Sequence, residues 1–433
     1  MEKQYCNEMI EFLQNSPCSF LAVENCENKL KQNGFECLDK KDNWNLKEGG
    51  KYYITRNGST LISFIIGKEP EKTGFKLIGS HTDSPSFVIK PNCEIKSNKA
   101  YLKLNTEGYG GMIVSTWLDR PLSIAGRVIL KGDDIFSPKT KTIDFKKPVA
   151  IIPNLAIHLN REINNGHQYS RQKEMLPLVS LTGENFNEKG YIYELISKQI
   201  NVNKDDILDY ELFLYEAEKG SLIGLNEEFV SCSRLDDLMM VYNSLEGFLN
   251  YAKSDSYTGI KVLYIADNEE VGSHTGQGAD SAFLRDSLKR VCINLFGNEE
   301  SFYKMAEKSV FISADLAHAI HPNYADKHDI TNQPVLNGGV CLKYSSSQKY
   351  STTGICGGIF DGLCKKADIP YQKFVNHSDV VGGSTIGAML ASQFNTTVID
   401  FGVCVLGMHS IRELASVKDV YDCYKLFCTF YSL

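Results

Sequence analysis

Gly259-Ile-Lys-Val-Leu-Tyr-Ile-Ala266 runs straight into Asp267-Asn-Glu-Glu-Val-Gly-Ser273. The first half reads as a continuous apolar strand, of the kind buried in a mostly parallel sheet. The second half places two adjacent glutamates at the strand's end, facing different ways. One can bind a metal while its neighbour takes a proton from an activated water. An acidic surface loop is the plainer reading of Glu269 and Glu270, but a buried strand leading into them makes it less comfortable.

Working outward, the same rhythm recurs. Residues 309–314 read as a strand that ends at Asp315, and 397–406 as one that leads to His409. Residues 75–78 lead into His81. Helical periodicity marks 236–251, 279–295, 384–393 and 417–431. Strands followed by helices in this order imply a mixed, mostly parallel α/β sheet flanked by helices. Such sheets carry their sites at the carboxyl ends of the strands. Four strands each ending in a metal-competent side chain are the main functional signal in the sequence.

The flanking stretches differ. The first residues fit one short amphipathic helix around Met9, Ile10, Phe12 and Leu13, followed by β-type runs at 52–55 and 61–66. Residues 87–89 read as a strand stopped by Pro91. Between 92 and 230, strand-like pieces alternate with turn clusters around one helical segment at 191–200. The expected organisation is a catalytic domain of residues 1–91 and 231–433, interrupted by a β-rich inserted domain at 92–230.

The bulk numbers narrow the function. The chain has 433 residues, 42% of them apolar, and a net charge of −7. An acidic surface argues against nucleic acid or anionic membrane as a partner. There is no run of about 18 apolar residues to span a bilayer and no signal-peptide pattern at the start. The 13 cysteines include no Cys-x-x-Cys pair, so they read as reduced core residues of a cytoplasmic protein.

Two further segments add candidate ligands. Asp236 stands at a helix start in Ser233-Arg-Leu-Asp-Asp-Leu238. An aspartate there is most often a cap, yet a single carboxylate can also bridge two cations. In His81-Thr-Asp83, residues i and i+2 of extended backbone share a side, so Asp83 can orient the imidazole. His81, Asp236, Glu270, Asp315 and His409 together offer nitrogen and carboxylate donors. That set suits zinc, manganese or cobalt. Gly-x-Ser-x-Gly, His-Glu-x-x-His and phosphate-loop patterns are absent.

Seven segments then carry a resemblance: Gly79-Ser-His-Thr-Asp-Ser-Pro85, Trp117-Leu-Asp-Arg-Pro-Leu122, Asn154-Leu-Ala-Ile-His-Leu159, Asn226-Glu-Glu-Phe-Val230, Ser233-Arg-Leu-Asp236, Asp267-Asn-Glu-Glu-Val-Gly-Ser273 and Asp315-Leu-Ala-His-Ala-Ile-His-Pro-Asn-Tyr324. In wording and order they resemble the aspartyl aminopeptidase family, across nearly the whole chain. The resemblance implies a two-zinc aminopeptidase-like catalytic domain and removal of N-terminal Asp or Glu from peptides. It implies two divalent ions, zinc first, with cobalt or manganese as alternatives. His81, Asp236 and Asp315 would hold one; Asp236, Glu270 and His409 the other. Glu269 would be the general base and Asp83 the group behind His81. His318, Lys343 and Tyr350 would contact substrate. His158, on the inserted oligomerisation domain, would reach a neighbouring subunit's site in a homododecamer. Gly338-Gly339 and His377 depart from the family pattern. A broad or neutral-specificity aminopeptidase of the same class, or a shell-forming scaffold or cargo protein with weak catalysis, are the competing readings.

Overall fold

The computed structural model describes residues 1–183, 186–393 and 395–433. The chain divides into two compact units. One comprises Met1–Asp83, Gly220–Met408 and Glu413–Leu433; the other comprises Ser84–Lys219 and His409–Arg412.

The first unit is built on a nine-stranded sheet. Its strands lie in the order Glu36–Cys37, Lys51–Arg56, Thr60–Ile66, Ile260–Ala266, Phe75–His81, Val310–Ala314, Thr397–Gly402, Val340–Tyr344 and Tyr371–Val375. The four strands from Ile260–Ala266 to Thr397–Gly402 are mutually parallel, while Thr60–Ile66 and Val340–Tyr344 join them antiparallel. Every residue of Ile260–Ala266 is buried. Alternate residues serve opposite faces, as strand geometry requires. Leu263 and Ile265 join a core with the helices Glu2–Gln14, Ser19–Gln32, Leu235–Tyr251, Gly354–Ala367 and Val417–Ser432. Val262 and Tyr264 join a second core with Phe283–Phe296, Glu300–Glu307 and Ile386–Gln393. The result is a mixed α/β sheet flanked by helices, and its parallel centre fixes where His81 and Asp315 emerge.

Several local expectations change. The amino terminus forms two helices, Glu2–Gln14 and Ser19–Gln32, not one. Pro17 separates them, and the second buries Phe20, Ala22, Val23, Cys26 and Leu30 at helical spacing. The run 397–406 is two strands. Thr397–Gly402 stays in the large sheet, and Cys404–Leu406 enters a separate five-stranded sheet. The chain leaves at Gly402, where a Cβ would lie 1.9 Å from the Asp315 carbonyl oxygen. His409 therefore does not follow a strand of the large sheet.

The second unit holds a six-stranded antiparallel sheet in the order Lys139–Asp144, Leu122–Leu130, Ile207–Glu216, Ser86–Ser97, Tyr101–Tyr109 and Leu178–Leu181. Helix Tyr191–Ile200 buries Ile192, Ile196 and Ile200 in its core. Its first strand runs through Pro91, which cannot donate to a ladder. The register shifts between Ile89 and Glu94 to accommodate it. Because that strand pairs within this sheet, the unit starts at Ser84, where a start at 92 was expected. It ends at Lys219, ahead of the expected 230, and gathers His409–Arg412.

Each of the 13 cysteines is unbridged. Among the described residues, no helix is long and apolar enough to cross a membrane.

One buried charge sits inside the first core. Lys261 is 1% exposed, and its ammonium has no hydrogen-bond partner among the described residues. It lies 5.4 Å from the Tyr251 ring centroid and beside Lys76 in the parallel register. Burial, with a smaller push from Lys76, lowers its pKa to about 8. The folded chain thus holds this proton more weakly than the unfolded chain does. The penalty is full below about pH 8 and fades as pH rises toward the unfolded value. Lys261→Met should stabilise the protein by roughly 1–3 kcal/mol near pH 7, after allowing for the lost cation–π contact. Thermal melts should show the variant higher at pH 7 and the gap narrower at pH 10. A lower melting point at pH 7 would mean that Lys261 has an anionic partner in solution.

Candidate metal centre

His81 closes the strand Phe75–His81 and is 1% exposed. Its Nδ1 lies 3.0 Å from the Asp83 backbone carbonyl and 3.4 Å from the Asp83 carboxylate. Its Nε2 faces the carboxylates, 3.5 Å from Asp236 and 4.0 Å from both Asp237 and Glu269. The Asp83 carboxylate makes its own bonds elsewhere: it accepts the backbone N–H of Glu269 at 3.1 Å and of Glu270 at 3.0 Å. One aspartate thereby ties the His81 strand end to the turn that carries both glutamates. That turn, a single 3-10 turn over Glu269–Val271, follows directly from the buried strand Ile260–Ala266.

Asp236 is 4% exposed and precedes the regular part of its helix, with φ −81° and ψ 111°. Its N–H donates to the buried Glu413 carboxylate at 2.9 Å. The next residue, Asp237, is 0% exposed and accepts the His81 backbone N–H at 3.1 Å. The peptide between the two aspartates is cis. Neither Asp237 nor Glu413 was singled out from the sequence. The Asp-Asp doublet after Arg234-Leu235 was a usable signal for Asp237. Glu413 gave none, because its role depends on a strand pairing that only the fold creates.

His81, Asp236, Asp237 and Asp315 each bring a ligand atom within 4.8 Å of the others. Asp236 and Glu270 also bring ligand atoms within that distance of each other. Burial disfavours a charged imidazole, yet Asp237, Asp236, Asp83 and Glu269 outweigh it and hold the His81 pKa well above its ordinary value. Burial likewise raises Glu269 to about 8; His81 opposes this and Asp315, Asp83 and Asp236 add to it. Asp237 is raised by burial, against the pull of His81. One of its oxygens accepts no hydrogen bond among the described residues. So many carboxylates in so little water are costly unless a cation neutralises them. The donor set fits a divalent ion of hard or borderline character.

Lys343 lies in the strand Val340–Tyr344 with its side chain 3% exposed, 3.3 Å from the Asp315 carboxylate and 5.1 Å from the Tyr350 ring centroid. His318 and Tyr350 both lean on Phe374, at 5.9 and 6.3 Å between ring centroids. The three residues expected to meet substrate thus share one wall in the first unit, and Phe374 is an addition that the sequence did not suggest. In the second unit, His409 has φ 66° and sets Nδ1 3.0 Å from the Gly111 carbonyl. That contact leaves Nε2 as the ring nitrogen that can take a ligand. His158 is exposed on the short 3-10 helix Ile157–Leu159.

The same chain matches known proteins along its length. The family profile described as "Aminopeptidase I zinc metalloprotease (M18)" matches residues 12–431. A "Probable M18 family aminopeptidase 2" of Clostridium novyi (strain NT) is 47% identical over 99% of both chains. Among solved structures, a chain from the Ape4 and Nbr1 complex superposes with a TM-score of 0.94 at 34% identity, covering 99% of this chain and 86% of that one. The S. cerevesiae mApe1 dodecamer superposes with a TM-score of 0.85 at 26% identity, covering 99% and 97%. A strand-end cluster suited to a divalent ion and a full-length match agree: the chain belongs to the M18 family of zinc metallo-aminopeptidases.

Proposed function

We propose that this aminopeptidase removes N-terminal Asp or Glu from peptides, using two divalent cations with zinc as the first choice. His81, Asp236 and Asp315 would hold one cation. Asp236, Glu270 and His409 would hold the second, with Asp236 shared. Such ions supply Lewis acidity, acidifying water and polarising the scissile carbonyl. Glu269 takes the proton from the attacking water and returns it to the leaving amine. Asp83 keeps Glu269 and Glu270 in place through their two backbone amides.

The observation that carries the acidic preference is the sealed ammonium of Lys343 beside Asp315. A buried cation next to the reacting centre selects a carboxylate side chain, and Tyr350 and His318 stand on the same wall to donate hydrogen bonds. The ion pair with Asp315 also favours a second reading, broad or neutral specificity, in which Lys343 serves only to balance a ligand's charge. Lys343→Met separates the two. It should raise KM for Asp- and Glu-starting peptides roughly 10- to 100-fold, the scale of a lost charge-assisted contact, with far less change for neutral ones. Equal changes in both classes, measured on a panel varying only the first residue, would favour the second reading.

His158 is proposed to reach a neighbouring copy's site in a homododecamer. Its exposure and the dodecameric mApe1 relative support that reading. A reducing, cytoplasmic location suits thirteen unbridged cysteines.

A further inference from the structure

Asp400 is a fully buried carboxylate that neither the cation cluster nor the proton transfer uses. It is 0% exposed in the strand Thr397–Gly402. The neighbouring antiparallel strand pairs Cys341 with Gly402 and Leu342 with Phe401. Continuing that register sets Lys343 across from Asp400; burial raises the Asp400 pKa, and hydrogen bonds and the Lys343 charge work against the rise. One carboxylate oxygen accepts the Ser351 backbone N–H at 2.5 Å; the other accepts the Thr385 hydroxyl at 2.5 Å. The Asp400 N–H in turn donates to the Thr352 hydroxyl at 2.9 Å. A second clasp lies alongside, where the Lys349 ammonium donates to the Gly382 carbonyl at 2.6 Å. Helix Ile386–Gln393 packs so closely that a Cβ at Gly387 would sit 2.5 Å from the Asp400 carboxylate.

Two elements therefore meet on one carboxylate, the segment that follows Tyr350 and Thr385 at the start of a helix, and the strand of Lys343 pairs alongside. We infer that Asp400 is a positioning residue for the pocket that takes the substrate's acidic side chain. It fixes the backbone next to Tyr350 from the strand that neighbours that of Lys343, while touching no substrate itself. This rests on the acidic-residue reading given above. Burying a carboxylate costs folding energy that a merely structural residue of similar shape would avoid. Of the bonds it makes, the one from the Ser351 N–H fixes the chain directly after Tyr350, and its strand lies beside that of Lys343.

The test is Asp400→Asn together with Thr385→Val and Thr385→Ser, each as the metal-loaded enzyme, on peptides starting with Asp, Glu or Leu. An amide at 400 turns an N–H toward one of the two donors. KM for the acidic peptides should rise roughly tenfold or more, with less than about threefold change for Leu and unchanged metal content. Thr385→Val should move the same ratio in the same direction by less, and Thr385→Ser, which keeps the hydroxyl, should restore it. If Asp400→Asn does not fold, the Thr385 pair decides alone. A wild-type preference for acidic peptides that survives intact in Asp400→Asn, or in Thr385→Val where the former fails to fold, overturns the inference. A wild type with no acidic preference overturns the substrate reading, and the inference with it.

Discussion

Glu269→Gln should leave a folded protein with its full metal content and a kcat about 100- to 10,000-fold below wild type, the usual worth of a positioned general base. Gln is nearly isosteric, and the anchoring of residue 269 is by its backbone N–H on Asp83, which the substitution does not touch. What changes is the capacity to take a proton. Without cations, burial and neighbouring acids raise Glu269 to about 8. Positive charge held by His81, Asp236 and Asp315 would bring it down toward the operating range, where a base works best. Bound cations would thereby make the carboxylate a better proton acceptor. Single-turnover rates and metal analysis on the same sample check this. A variant within threefold of wild-type kcat would move the base to another residue.

The features legible in the sequence were those that a strand announces locally. Ile260–Ala266, Phe75–His81 and Val310–Ala314 are apolar runs, so the parallel centre of the sheet and the emergence of His81, Glu269, Glu270 and Asp315 at the carboxyl ends of its strands could be read from spacing alone. Features set by long-range contact could not. The run 397–406 looks continuous because every residue in it except Asp400 is small or apolar. It divides only because the chain at Gly402 passes against the Asp315 backbone. The inserted unit begins at Ser84 because the strand Ser86–Ser97 finds its partners there, despite a proline that reads as a stop. Glu413, Phe374 and Asp400 are unremarkable in sequence, and Asp237 is marked only by its place in an Asp-Asp doublet. Each becomes part of the site, or of its support, through partners distant along the chain.

Asp236→Asn should cost more than any other single ligand change, because Asp236 is the carboxylate proposed to serve both cations. It brings a carboxylate oxygen within 4.8 Å of ligand atoms of His81, Asp237 and Asp315, and a carboxylate oxygen within the same distance of a ligand atom of Glu270. Losing one of its anionic oxygens should deplete both ions, whereas Asp315→Asn should deplete one. Activity should fall to about a thousandth of wild type or lower, since the Lewis-acid contribution is lost as a whole. The stability readout runs in two directions and separates ligation from packing. In metal-free protein, Asp236 faces the His81 imidazole that it helps to keep protonated as well as the crowded Asp237, Asp315 and Glu269, so the opposing effects should leave the melting point of Asp236→Asn close to that of wild type. With saturating zinc, wild type should gain a melting-point increment that the variant lacks, because only the folded, ligand-complete state binds the ion. Equal increments in both proteins, or the same metal content in Asp236→Asn as in Asp315→Asn, would show that Asp236 does not bridge. The crowding around it would then be relieved by a single cation held by His81, Asp237 and Asp315.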